Sequence, residues 1–119
     1  MATVGKICRV AVYLTLILVG LFPSPGVSAE ETAKAYVLQV DGAIDPNHAK
    51  YVQRGLRKAQ DSGAQFVILQ IDTPGGLVSS MRAMVRHIRA AEIPVITYVA
   101  PQGARAASAG TFVTAAGHL

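Results

Sequence analysis

The sequence predicts an α/β domain built on a parallel sheet, and three observations predict it. Strand-like and helix-like stretches alternate as β-α-β-α-β-α beyond residue 34, the order that lays strands side by side through right-handed helical crossovers. The central strand-like run, "FVILQI" from Phe66 to Ile71, is nearly continuously apolar, as suits a strand buried on both faces. The stretches between the strands carry their apolar residues on one helical face. With 119 residues the chain holds one domain at most.

Each element has its own signal. "AYVLQV" (Ala35 to Val40) is strand-like and runs into the turn pair Asp41-Gly42. Asp45-Pro46 starts a helix, because a carboxylate caps the first free N–H groups and proline fits the first helical position. Ala49, Val52, Leu56 and Ala59 line one face of that helix, and Gly63 ends it. From Leu77 a second helix places Leu77, Met81, Met84, Val85 and Ile88 on one face and Arg82, Arg86 and Arg89 on the other. The methionines read as core packing. Pro94 opens a third strand, "VITYVA" (Val95 to Ala100). A loop, "PQGARAA", leads to a last helical stretch from Ser108 to Leu119. Three strands make a poor independent domain, so the sequence is expected to be part of a longer protein.

Residues 1–29 read as a secretory leader. Lys6 and Arg9 precede an apolar run from Val10 to Phe22, which is short for a membrane span of about 20 residues. Pro23, Pro25 and Gly26 break that run, and Val27-Ser28-Ala29 offers a small-x-small cleavage site. The mature chain, 30–119, is expected to begin at Glu30; an uncleaved anchor is the alternative. Cys8, the single cysteine, lies in the leader, so residues 30–119 hold no disulfide and no cysteine metal site. The net charge of +4 includes Lys6 and Arg9, and the remaining basic residues are scattered. They read as solvated surface and argue against a nucleic-acid interface.

Two short stretches carry candidate chemistry. "DTPGG" (Asp72 to Gly76) follows the central strand and precedes a helix. Ligands bind at the carboxyl ends of strands in open parallel sheets, and glycines leave backbone N–H groups uncovered there. The stretch is neither a dinucleotide fingerprint nor a Walker loop, and an ordinary turn explains it equally well. "RAASAGT" (Arg105 to Thr111) sets Ser108 among small residues that let a substrate backbone approach. The N–H groups of Ala109 and Gly76 would then form an oxyanion pair. A helix-capping serine is the plainer reading, because serine is inert without a base. No base is visible. His118 lies ten residues on, about 15 Å along a continuous helix; His48 and His87 read as surface, and Lys34, Lys50 and Lys58 lie on early segments. Ala106 also replaces the first glycine of the G-x-S-x-G elbow.

"VDGAIDP", "ILQIDTPGGL" and "IPVITYVAPQGARAASAGTF", in this order and spacing, resemble the NfeD family of membrane-bound serine proteases, whose catalytic domain is Clp-protease-like. The likeness covers Tyr36 to Leu119; the protease IV family shares the fold. The resemblance implies a Clp-protease/crotonase fold, incomplete in this chain, with Ser108 as the nucleophile. It also implies that Gly75, Gly76 and the Ala109 N–H line the oxyanion hole. The family's base is a lysine from later in the domain, beyond residue 119. A membrane-spanning segment and a small β-barrel usually follow. No cofactor or metal is implied. The implied partners are apolar polypeptide segments and a stomatin-like membrane protein, with a homo-oligomer working at the extracytoplasmic face of the membrane.

Three functions compete on these residues: an endopeptidase cutting apolar segments near a membrane, a non-catalytic fragment or scaffold for a stomatin-like partner, and an acyl-CoA enzyme of the crotonase type. The leader argues against the third, since acyl-CoA chemistry is normally cytosolic.

Overall fold

The computed structural model describes residues 32–119. The leader, its cleavage site and Glu30 lie outside the described residues. Three strands, β1 (Ala35–Asp41), β2 (Phe66–Asp72) and β3 (Val95–Val99), alternate with three helices, α1 (Pro46–Asp61), α2 (Val78–Arg89) and α3 (Ala109–Ala115). The strands form one parallel sheet in the order β1-β2-β3. Leu38 stands opposite Leu69, and Val67 opposite Val95.

That register puts Leu38, Val40, Val67, Leu69, Ile71 and Val95 on one face. All are buried in a single core with Ala49, Val52 and Leu56 of α1, Met84 and Ile88 of α2, and Ala109 and Val113 of α3. All three helices therefore cover the same face. Right-handed crossovers along a sheet that grows in one direction bring every helix to one side. The expectation that β2 is buried on both faces is thus only half met. Its residues alternate between buried and half-buried, and Val37 and Tyr98 on the other face are exposed.

The first helix starts as expected. Asp45 Oδ1 accepts the His48 N–H at 2.8 Å, and proline occupies the first turn. Gly63 ends the helix at φ 69°, where L side chains are strained. The His48 N–H, more than the opposing burial and the His48 ring, holds the Asp45 carboxyl below its ordinary 3.8. A depressed folded value means that the ionised cap stabilises the helix above the unfolded value. That gain disappears as pH falls through the lower folded value. Melting curves should therefore show the gap between wild type and Asp45→Asn closing as pH drops below 3.8. A gap independent of pH would show that the carboxylate charge is immaterial.

Two boundaries differ from the sequence reading. Leu77 was expected on the buried face of α2 but is 54% exposed. Its N–H donates to Ile44 O at 2.9 Å, which keeps it extended and starts the helix at Val78. Ser80, Met84 and Ile88 form the buried stripe instead, with Met81 and Val85 packed against the core. The last helix stops at Ala115 and does not reach Leu119. Gly117 turns the chain back to β3, where an added Cβ would stand 2.7 Å from the Thr97 side chain. His118 then caps the start of β3: its N–H donates to Val95 O at 2.8 Å, and its Nδ1 accepts the Val95 N–H at 3.0 Å. No described helix is long and apolar enough to cross a membrane.

Candidate active site

The carboxyl end of β2 is where the two candidate stretches meet. On one side Gly42 N–H donates to Asp72 O, and Ile44 N–H donates to Gly75 O at 2.8 Å. On the other side Thr73 N–H donates to Arg105 O at 2.7 Å, and Ala107 N–H donates to Thr73 O at 3.0 Å. Asp72 Oδ1 accepts the Arg105 N–H at 3.1 Å. The glycine turn is therefore stitched between the segment after β1 and the loop that carries Ser108.

Ser108 precedes α3 with φ 51° and ψ −119°, the only non-glycine residue with positive φ among the described residues. Its side chain makes no capping hydrogen bond. The plain reading of a capping serine therefore does not hold. Ser108 is thus held in a strained conformation with its exposed side chain free of any capping bond. Ala106 in place of the elbow's first glycine does not prevent it. Gly110, two residues on, has a reason too: an added Cβ would strike Thr73 Cγ2, so only glycine lets α3 approach β2 this closely.

Gly75 lies beneath Ser108. A Cβ built on it would stand 2.8 Å from Ser108 Cβ and 3.2 Å from Ser108 Oγ. Its N–H, however, donates to Thr73 Oγ1 at 3.1 Å, so Gly75 serves the site through its missing side chain. The Gly76 and Ala109 N–H groups have no acceptor among the described residues. Ala109 is buried, and a buried N–H without an acceptor is rare. Gly76 also stands just ahead of the uncapped first turn of α2, which carries no acidic side chain. The setting suits developing negative charge.

Thr73 escaped the sequence reading. It is fully buried, and Oγ1 donates to Gly42 O at 2.6 Å while accepting from Gly75. The cue was a hydroxyl at the end of an apolar strand, just before a proline that has no N–H to offer. Thr73→Val should cost about 2 kcal/mol in a denaturant titration, because it strands buried backbone groups. Thr73→Ser should recover most of that loss; equal losses in both variants would assign the effect to packing.

As the sequence reading expected, no histidine or lysine among the described residues makes a hydrogen bond to Ser108. His118 sits at the opposite end of the sheet, by Val95. His48 spends both ring nitrogens, Nδ1 on Asp45 Oδ1 and Nε2 on Asp41 O. His87 lies near the far end of α2, and burial, then Arg86 and Arg57, push its pKa down. Lys34 donates to Ser62 O. Among the described residues no group of three or more metal-type ligands occurs.

The family model for the NfeD1b N-terminal domain matches residues 34–118. The chain belongs to this family. The NfeD1b-type domain is 40% identical over 84 residues to the membrane-bound protease PH1510 of Pyrococcus horikoshii, covering 71% of this chain and 19% of that protein. It is 38% identical over 101 residues to the membrane protein NfeD1b of Bacillus subtilis, covering 81% of this chain and 22% of that one. The chain thus spans about a fifth of the length of these curated relatives. Among solved structures, a serine-to-alanine variant of the 1510-N membrane-bound stomatin-specific protease superposes with a TM-score of 0.71 at 38% identity, covering 72% of this chain and 42% of that one. A lysine-to-alanine variant of the same protease, in complex with a substrate peptide, gives 0.70 at 40% identity, covering 72% and 39%. A ClpP1 variant from Listeria monocytogenes gives 0.60 at 21% identity, covering 68% and 46%, and shares the fold. The NfeD1b domain is therefore Clp-protease-like, as the resemblance implied.

Proposed function

We propose that the chain carries the nucleophile and oxyanion donors of a serine endopeptidase of the NfeD class. The observation that carries this reading is Ser108, strained, uncapped and exposed directly above Gly75. Ser108 Oγ attacks the scissile carbonyl, and the base takes its proton. The oxyanion that forms is met by the N–H groups of Gly76 and Ala109. Collapse expels the amine, which takes the proton back from the base, and water then cleaves the acyl-enzyme.

The base is a lysine beyond this sequence. Burial lowers a lysine's pKa toward neutrality, so it can accept the serine proton. The serine and lysine variants of the 1510-N relative, one of them holding a substrate peptide, support the pair. The substrate is an extended, apolar polypeptide segment, and Leu77, exposed beside the glycine turn, suits an apolar side chain. A stomatin-like membrane protein supplies that segment, as the relatives' specificity suggests. The protein is exported after loss of residues 1–29 and works as a membrane-bound homo-oligomer at the extracytoplasmic face. Full-length protein should cleave an apolar peptide from the tail of its stomatin-like partner, and Ser108→Ala should not. Stable partner binding without cleavage by the wild type would favour a scaffold.

A further inference from the structure

The loop that carries Ser108 has its carbonyls tied one by one. Ala107 O accepts the Gly110 N–H at 2.9 Å, and Ser108 O accepts the Thr111 N–H at 3.0 Å. No backbone N–H among the described residues donates to Ala106 O. Its donor is a side chain, the Thr111 hydroxyl, at 2.9 Å. That bond is out of pattern for a helix. A helical threonine hydroxyl bonds the carbonyl three or four residues back, as Thr114 Oγ1 does with Gly110 O at 3.0 Å. Thr111 instead reaches back past Ser108 to Ala106, outside α3.

The bond fixes one peptide plane. The Ala106 C=O and the Ala107 N–H belong to the same peptide unit, which is rigid and planar. Thr73 O holds its N–H end at 3.0 Å from the β2 side, and Thr111 holds its C=O end from α3. The orientation of that plane sets the direction in which the chain enters Ser108, at φ 51° and ψ −119°. An L residue keeps such a conformation only where its surroundings impose it. Without the hydroxyl, the plane is held at one end alone. We propose that Thr111 is a positioning residue: its hydroxyl locks the Ala106–Ala107 peptide plane and so holds Ser108 in its strained turn, a role whose effect on rate rests on Ser108 being the nucleophile.

The test pairs Thr111→Val with Thr111→Ser in the full-length protein. Valine keeps the branched shape and a similar helix propensity, and removes the donor. With the partner-tail peptide as substrate, Thr111→Val should lower kcat about tenfold, roughly what one hydrogen bond is worth. KM should stay within about twofold, since the lost bond orients the nucleophile and does not hold the substrate. Thr111→Ser should restore the rate. Thr114→Val, which removes an ordinary helical bond, is the control and should cleave like the wild type. Denaturation midpoints supply a readout that needs no cleavage. Losing the hydroxyl in the wild type releases the strain at Ser108, whereas a Ser108→Gly background has none to release. Thr111→Val should therefore lower the midpoint more in the Ser108→Gly background. Wild-type kcat in Thr111→Val, a Thr111→Ser variant as slow as Thr111→Val, or equal midpoint losses in the two backgrounds would overturn the proposal. If the wild type cleaves nothing, the peptidase reading fails by itself, and the midpoint comparison decides the role of Thr111.

Discussion

Replacing Ser108 by glycine in the full-length protein is expected to abolish cleavage and raise stability at once. At φ 51° a side chain costs about 1–3 kcal/mol of backbone strain. Glycine removes that strain and returns up to about 1 kcal/mol through its freer unfolded state. The net gain should be about 1 kcal/mol. Ser108→Ala keeps the Cβ and the strain. Since the hydroxyl makes no capping bond, it should melt within about 0.5 kcal/mol of wild type and still be inactive. A capping serine would behave otherwise, with Ala costing about 1 kcal/mol and turnover retained. Denaturant titrations beside peptide-cleavage rates separate the two. Wild-type turnover in a folded Ser108→Ala protein would sink the peptidase reading.

The second large effect is expected at the glycine turn. Gly75→Ala puts a Cβ 2.8 Å from Ser108 Cβ and 3.2 Å from Ala107 O, at φ 113°. Either the turn or the Ser108 loop has to move. The loss should reach about 3 kcal/mol, with cleavage gone. Gly103→Ala is the control, since it has positive φ but nothing within 4 Å, and it should cost only about 1 kcal/mol. Equal losses at the two positions would show that close approach to Ser108 is not what Gly75 provides. Gly76→Ala is harder to interpret: its Cβ would overlap the Ile44 backbone. Losing an oxyanion donor costs about a hundredfold or more in rate, but this variant would mix that loss with displacement of the Gly42–Ile44 segment.

The order of elements and the parallel sheet were legible along the chain because they rest on local signals. Asp45-Pro46 capped a helix, Gly63 closed it, and Pro94 opened a strand, each where the structure has them. The small residues around Ser108 and the Asp72–Gly76 turn were legible as candidates, and the family followed from the three blocks together. Tertiary pairing decided the rest. Leu77 left the core because Ile44 holds its N–H, and the last helix stopped short because Gly117 passes close to Thr97. Both depend on segments distant in sequence, which helical periodicity does not register. Ser108 read more plainly as a helix cap than as a nucleophile, since either needs a hydroxyl before a helix and no base was visible. The backbone angle that separates them belongs to the loop that the bridge of Thr73 with Ala106 holds at the end of β2. Sequence alone marked out Ser108, Gly75, Gly76 and Ala109 as candidates for chemistry. Only the fold decided that Thr73 ties the two loops together, that Gly75 gives space while its N–H is spent, and that Ser108 is held in a strained turn with its hydroxyl free.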